Sequence, residues 1–190
     1  MALKKILILF SGEGNNMLHI IQNLHHKEFH GTTVEVVAAI TNKKDAEGIE
    51  KLRPYHIPCA VIENSAYGSR EEFDRALVER IDCYQPDLVV LAGFMRILTP
   101  VFTQHVKAIN LHPSILPHFK GAKAIEQSYA DTQKPAGISV HWVSDELDGG
   151  DVISQQELHR IKEESFDSFK NRIHLLEYEL LSKTIVDLLQ

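Results

Sequence analysis

The sequence predicts an α/β domain built on a doubly wound, mostly parallel sheet, on three observations. Short, continuously apolar runs recur along the first 110 residues: KKILILF (4–10), TVEVVAAIT (33–41), PCAVIE (58–63) and DLVVLAGF (87–94). Such runs mark strands buried on both faces. Segments of helical spacing alternate with them, and strand–helix alternation implies parallel strands joined by crossover helices. No linker, repeat or low-complexity tract interrupts the 190 residues, so they are read as one domain with a long C-terminal helix.

Strand one is bounded by SGEGNN (11–16), after which NNMLHIIQNLHHKEF (15–29) carries Met17, Leu18, Ile21 and Leu24 at helical spacing. Strand two leads into KKDAEGIEKLRPYHI (43–57), a helix stopped by Pro54, and then into strand three. In the next helix Ser69 is the N-cap, acidic residues fill the first turn, and Phe73, Leu77 and Ile81 repeat every four residues. Beyond strand four come the short strand VKAINL (106–111), a short helix near AIEQSYAD (124–131), and strands AGISVHWVSD (136–145) and DVISQQELHRI (151–161). Ser165 caps the last helix, along which Phe169, Ile173, Leu176 and Leu180 share one face.

Hydrophobic residues make up 44% and charged residues 24%, an ordinary globular balance that argues against disorder. A net charge of −6 offers no basic footprint for nucleic acid. Cys59 and Cys83 form no CxxC pair and suit a reducing cytoplasm. The apolar run at the N-terminus is too short to span a membrane and reads as a core strand. A cytoplasmic protein acting on small molecules, without nucleic-acid or membrane partners, is expected. HHKEFH (25–30) places His26 and His30 one helical turn apart, read as a solvated helix end rather than a metal site, since no HExxH or cysteine partner accompanies them.

SGEGNN lies where a nucleotide-binding sheet carries its anion loop, after strand one and opening helix one. Met17 replaces the third glycine of G-x-G-x-x-G, and Asn42 stands where a ribose-binding acid would end strand two, so a dinucleotide is disfavoured. Two readings remain: a phosphomonoester site, or a tight turn with Asn15 or Asn16 as helix cap.

In NLHPSILPHFKG (110–121), Asn110 and His112 are two apart on a strand and so share a face, while Pro113 marks the strand's end. SDELDGGDVI (144–153) reads as a turn in which the two glycines take unusual dihedrals after Asp148. Ligands of doubly wound sheets bind outside the carboxyl ends of the strands, where SGEGNN, LAGFMRIL and NLHPS all leave. An imidazole with a carboxylate neighbour and a neutral amide donor can stabilise an oxyanion, the charge developed in acyl transfer. Neither a GxSxG motif nor a reactive cysteine pattern supplies a protein nucleophile, which leaves direct attack by the substrate.

SGEGNN, LAGFMRILTP, NLHPSILP and HWVSDELDGGDVI, in this order, resemble the phosphoribosylglycinamide formyltransferases, folate-dependent formyltransferases of purine biosynthesis. The resemblance covers nearly the whole chain. It implies a Rossmann-like formyltransferase fold, 10-formyltetrahydrofolate as formyl donor and no metal. It implies Asn110, His112 and Asp148 as the catalytic trio. Gly14, Asn15, Asn16, Arg70 and Glu177 would bind the ribonucleotide, and Met95, Arg96, Ile97, Leu98, Val143 and Asp148 the folate. Residues 1–107 would form a phosphate- and ribonucleotide-binding half and 108–190 a catalytic and folate-binding half. A monomer or weak homodimer is expected.

Two departures stand at the loop: Asn15 where the family usually has serine, and Glu13, whose charge beside an anion is unfavourable unless it points to solvent. The nearest rival is a formyltetrahydrofolate deformylase, which gives the formyl group to water; with strand one at residue 4, its regulatory domain is not expected here. A catalytically silent nucleotide-binding module is the alternative from another class, and an intact Asn110, His112 and Asp148 set argues against it.

Overall fold

The structure, a computed structural model, describes residues 2–190. The first half contains β1 (Ala2–Phe10), α1 (Asn15–Leu24), β2 (Lys27–Phe29), β3 (Thr32–Thr41), α2 (Gly48–Leu52), β4 (Cys59–Val61), α3 (Arg70–Asp82) and β5 (Leu88–Leu91). The second contains α4 (Pro100–Thr103), β6 (Ala108–His112), α5 (Ala124–Ala130), β7 (Gly137–Trp142), β8 (Val152–Glu157) and α6 (Phe166–Leu189). One sheet runs in the order β2-β3-β1-β5-β6-β7-β8, with β4 also paired to β3. β4, β3, β1, β5 and β6 are parallel neighbours, whereas β2, β7 and β8 run antiparallel to the strand beside them. The doubly wound, mostly parallel fold read from the sequence is the fold of the chain.

Alternation along β1 shows why the strand is apolar throughout. Ile6, Ile8 and Phe10 face a layer made by Met17, Ile20, Ile21 and Leu24 of α1 and by Phe169, Ile173, Leu181 and Ile185 of α6. Leu7 and Leu9 face the other way, onto Phe73, Leu77 and Ile81 of α3 and Phe102 of α4. A strand with helices on both faces has no polar side. As the capping pattern requires, Ser69 Oγ accepts from Glu72 N at 3.1 Å and Ser165 Oγ from Ser168 N at 3.3 Å. Ser69→Ala is expected to remove about 1 kcal/mol, read as a lower urea midpoint at unchanged slope.

The stretch 15–29 is not one helix. α1 ends at Leu24, His25 Nδ1 accepts from the backbone N–H of Val36 at 3.0 Å, and Lys27–Phe29 pair antiparallel with Thr32–Val34. His26 and His30 have φ of 57° and 50°, so they flank a hairpin strand and do not lie one helical turn apart. The free edge of β3 competes for this backbone and outweighs its helical spacing. Pro54 lies within a 3₁₀ turn, Arg53–Tyr55, that closes α2, and β8 stops at Glu157, short of residue 161.

Candidate active site

β6 carries Asn110 and His112 on one face at the carboxyl edge of the sheet, and its pairing with β7 sets His141 opposite Asn110 and Ser139 opposite His112. His112 is buried beneath the loop that follows it. Its Nε2–H donates to the Phe119 carbonyl at 2.8 Å, and its Nδ1 lies 3.3 Å from Asp148 Oδ2. Both ring nitrogens therefore face oxygens, a setting that a doubly protonated imidazole satisfies completely.

Asp148 reaches this point because its own backbone is left-handed, with φ 47°. This corrects the reading of DGG: neither glycine has positive φ, and the carboxylate residue takes the unusual conformation, one that Asp tolerates better than most. Space is what Gly150 supplies. A Cβ there would lie 1.8 Å from the Trp142 carbonyl oxygen. Asp148 Oδ2 accepts from Gly121 N at 2.8 Å, and Oδ1 accepts from Asn110 Nδ2 at 3.3 Å. Burial alone would push the Asp148 carboxyl up. The His141 hydrogen bond, the Gly121 N–H and the charges of His112 and His141 outweigh it and hold the group below its ordinary value.

His141 was not singled out in the sequence. Its Nδ1–H donates to the Trp142 carbonyl at 2.8 Å, and its Nε2 lies 3.2 Å from Asn110 Nδ2 and 3.5 Å from Asp148 Oδ1. Unprotonated, Nε2 accepts from the asparagine; protonated, it donates to the aspartate. A register shift between Val140 and His141 aims the ring. The available signal was period two in GISVHW, where Ser139 and His141 put two polar side chains on one face of an otherwise apolar strand.

A cleft of about 560 Å³ opens over this cluster, lined by Asn110, His112, His141 and Asp148 and extending to Asn16 and Glu177. Met95, Arg96, Ile97, Leu98 and Val143 line it as well. Met95 and Ile97 are exposed apolar residues at the mouth, and Arg96 lies 5.7 Å over the Phe73 ring. The segment after β5 is pinned at both ends: Met95 N donates to Ser11 Oγ at 2.8 Å, and Thr99 N and Oγ1 donate to Asp74. Asn42, which argued against a dinucleotide, is buried and accepts from Ser11 Oγ at 2.6 Å, tying the ends of β1 and β3 together.

At the far end, Glu177 is only 5% exposed, on the face of α6 that also buries Ile173 and Leu180. Asn16 Nδ2, at 3.4 Å, and His174 Nδ1–H, at 2.8 Å, donate to its carboxylate. Asn16 Oδ1 is buried without a partner among the described residues. Gly14, with φ 69°, is the N-cap of α1, with no side-chain cap bond, and Asn15 is exposed beside it. Arg70 is not brought to the cleft; it is exposed in the first turn of α3.

Comparison with known proteins decides the family. The formyl transferase profile matches residues 4–185. The chain is 41% identical over 177 residues to phosphoribosylglycinamide formyltransferase of Escherichia coli K12, spanning 92% of this chain and 82% of that one. The chain belongs to the phosphoribosylglycinamide formyltransferase family. A formyltransferase of the same name from Bacillus subtilis is 31% identical over 98% of this chain and 95% of its own. The crystal structure of the Campylobacter jejuni phosphoribosylglycinamide formyltransferase superposes with a TM-score of 0.96 at 48% identity, over 100% of both chains. This family member is thus a formyl-transferring enzyme with the formyltransferase fold, and the family implies a folate-derived formyl donor. Among the described residues, no helix is long and apolar enough to cross a membrane.

Proposed function

We propose that this enzyme transfers the formyl group of 10-formyltetrahydrofolate to the primary amine of 5'-phosphoribosylglycinamide, a step of de novo purine biosynthesis. The names of its relatives support the substrate, and those of trifunctional purine biosynthetic proteins, such as the one from Bos taurus, support the pathway. One observation carries the reading: Asn110, His112 and Asp148, three residues from two distant segments, converge in a single cleft that also reaches Asn16 and Glu177.

In this mechanism the neutral amine attacks the formyl carbon, forming the new C–N bond. Oxyanion charge develops on the formyl oxygen and is met by the Asn110 amide and the His112 imidazolium. His112 Nε2–H then exchanges the Phe119 carbonyl for the substrate oxygen. The bond to the folate nitrogen breaks as that nitrogen gains the proton lost by the amine, through a water positioned by Asp148. The carboxylate stays ionised because its neighbours hold its pKa down, so it favours positive charge on the adjacent ring.

Gly14, Asn15 and Asn16 would hold the phosphate, and Glu177 would accept from the ribose hydroxyls; Arg70, exposed on α3 and outside the cleft, takes no part in this arrangement. Met95, Arg96, Ile97, Leu98 and Val143 would wall the folate. This assignment crosses the two halves expected from the sequence: residues 1–107 would supply the phosphate loop and most of the folate wall, and residues 108–190 the catalytic trio, Val143 and Glu177.

Folate absorbance during turnover tests the reading. Tetrahydrofolate is expected to be released only when phosphoribosylglycinamide is present. Release without it indicates hydrolysis, and no release from folded protein indicates a binding module. Asn110→Ala is expected to lower kcat by roughly 10²–10³, the usual effect of losing one oxyanion donor; an unchanged kcat would remove Asn110 from the mechanism.

A further inference from the structure

The loop that opens α1 has an electrostatic problem. Its exposed Glu13 lies one residue from the N-terminal N–H groups that precede the first helical bond, Leu18 N to Gly14 O, and Glu177 lies buried behind Asn16. Two carboxylates thus flank the place proposed for a phosphate dianion, and helix-end N–H groups carry only about half a unit charge. A full positive charge is needed there.

We propose that Lys51 supplies it, as a phosphate-binding and specificity-determining residue. The proposal rests on a phosphorylated substrate being the ligand of this loop. α2 is docked directly on the loop through glycine-to-glycine contact. Gly48 N donates to the Gly12 carbonyl at 3.0 Å. A Cβ on Gly14 would lie 3.0 Å from Gly48 Cα, and one on Gly48 would lie 2.6 Å from the Phe10 ring and 3.2 Å from Gly12 O. Only hydrogen at both positions lets the two backbones approach this closely. Lys51 is three residues beyond Gly48, hence on the same helix face. Its Nζ donates to Asn15 Oδ1 at 2.5 Å, while Asn15 Nδ2 donates to Glu13 Oε2 at 2.8 Å.

The choice of partner is informative. Two cations of the same segment are paired with acids, Arg53 with Glu50 at 2.8 Å and Lys44 with Glu63 at 3.8 Å. Lys51 instead rests on a neutral amide belonging to the first residue of α1. An ammonium held there gives up little when it turns to a phosphate oxygen, and the bond it gains is charge-assisted. Asn15, where the resemblance leads one to expect serine, becomes the bridge that keeps Lys51 over the loop and holds Glu13 aside.

Equilibrium binding of ribose 5-phosphate and of ribose tests this without formyl transfer, using wild type, Lys51→Met, Lys51→Arg and Glu13→Gln. Lys51→Met is expected to weaken ribose 5-phosphate binding roughly tenfold at low salt, to leave ribose binding unchanged, and to flatten the salt dependence. Lys51→Arg retains most of the affinity, and Glu13→Gln raises it. Thermal unfolding of each variant confirms that the fold is kept. Ribose 5-phosphate binding equally tight in Lys51→Met and wild type overturns the proposal, as does equal loss for ribose and its phosphate. Failure of wild type to formylate phosphoribosylglycinamide would instead overturn the proposed reaction while leaving the phosphate result standing.

Discussion

Asp148→Asn is expected to lower kcat for formyl transfer by roughly 10³-fold, within the range for losing a group that positions a proton transfer, with a smaller change in KM for the ribonucleotide. The carboxylate accepts from Gly121 N and Asn110 Nδ2 and faces both His112 and His141. An amide keeps the shape but turns an NH₂ toward one of these donors and removes the charge that favours imidazolium. The pH dependence of stability gives a second readout. Folding depresses the Asp148 pKa, so the group's stabilising contribution is complete above its unfolded value and is lost as pH falls through the lower folded value. Urea midpoints of wild type should drop in that acid window more steeply than those of Asp148→Asn. Parallel midpoint curves, or a variant with undiminished kcat, would contradict this account.

Gly150→Ala is expected to damage both stability and rate. The added methyl would overlap backbone, lying 1.8 Å from Trp142 O and 2.8 Å from Trp142 C, and no side-chain rotation relieves it. Trp142 O is also the acceptor for His141 Nδ1–H. Moving either the end of β7 or the turn at Gly150 therefore disturbs His141 or the left-handed Asp148 two residues before Gly150. Overpacking of this kind costs about 1–3 kcal/mol, read by thermal or urea unfolding, and kcat should fall in the fraction that remains folded. Gly12, with nothing near its missing Cβ, is the steric control: Gly12→Ala should change stability by less than about 0.5 kcal/mol. Equal melting temperatures for the two variants would sink the argument.

Local chemistry made part of the site legible. Asn110 and His112 share a strand face by period two, and the turn after Asp148 announces itself by its glycines. His141 shares that period-two signal but carries no turn or motif, so it emerged only when the register of β7 against β6 placed it opposite Asn110. Glu177 sits four residues after Ile173 and three before Leu180, on the apolar face of α6, but spacing alone does not say what a carboxylate would meet there; the fold sets it against Asn16 and His174. In HHKEF, the free edge of β3 decided against the helix.

The sequence by itself determined the alternation of strands and helices, the two-sided burial of β1, the serine caps of α3 and α6, and the residue types of the site, because these depend on period, propensity and neighbours a few positions apart. Tertiary structure alone decided which end of which strand meets which turn. Asp148 is 36 residues beyond His112, a separation over which no local rule sets distance, and the 3.3 Å between their side chains follows from strand register, the left-handed backbone of Asp148 and the close approach of Gly150 to Trp142. The same holds for Lys51 and Asn15, which are 36 residues apart and joined because two glycines let a helix rest on a loop.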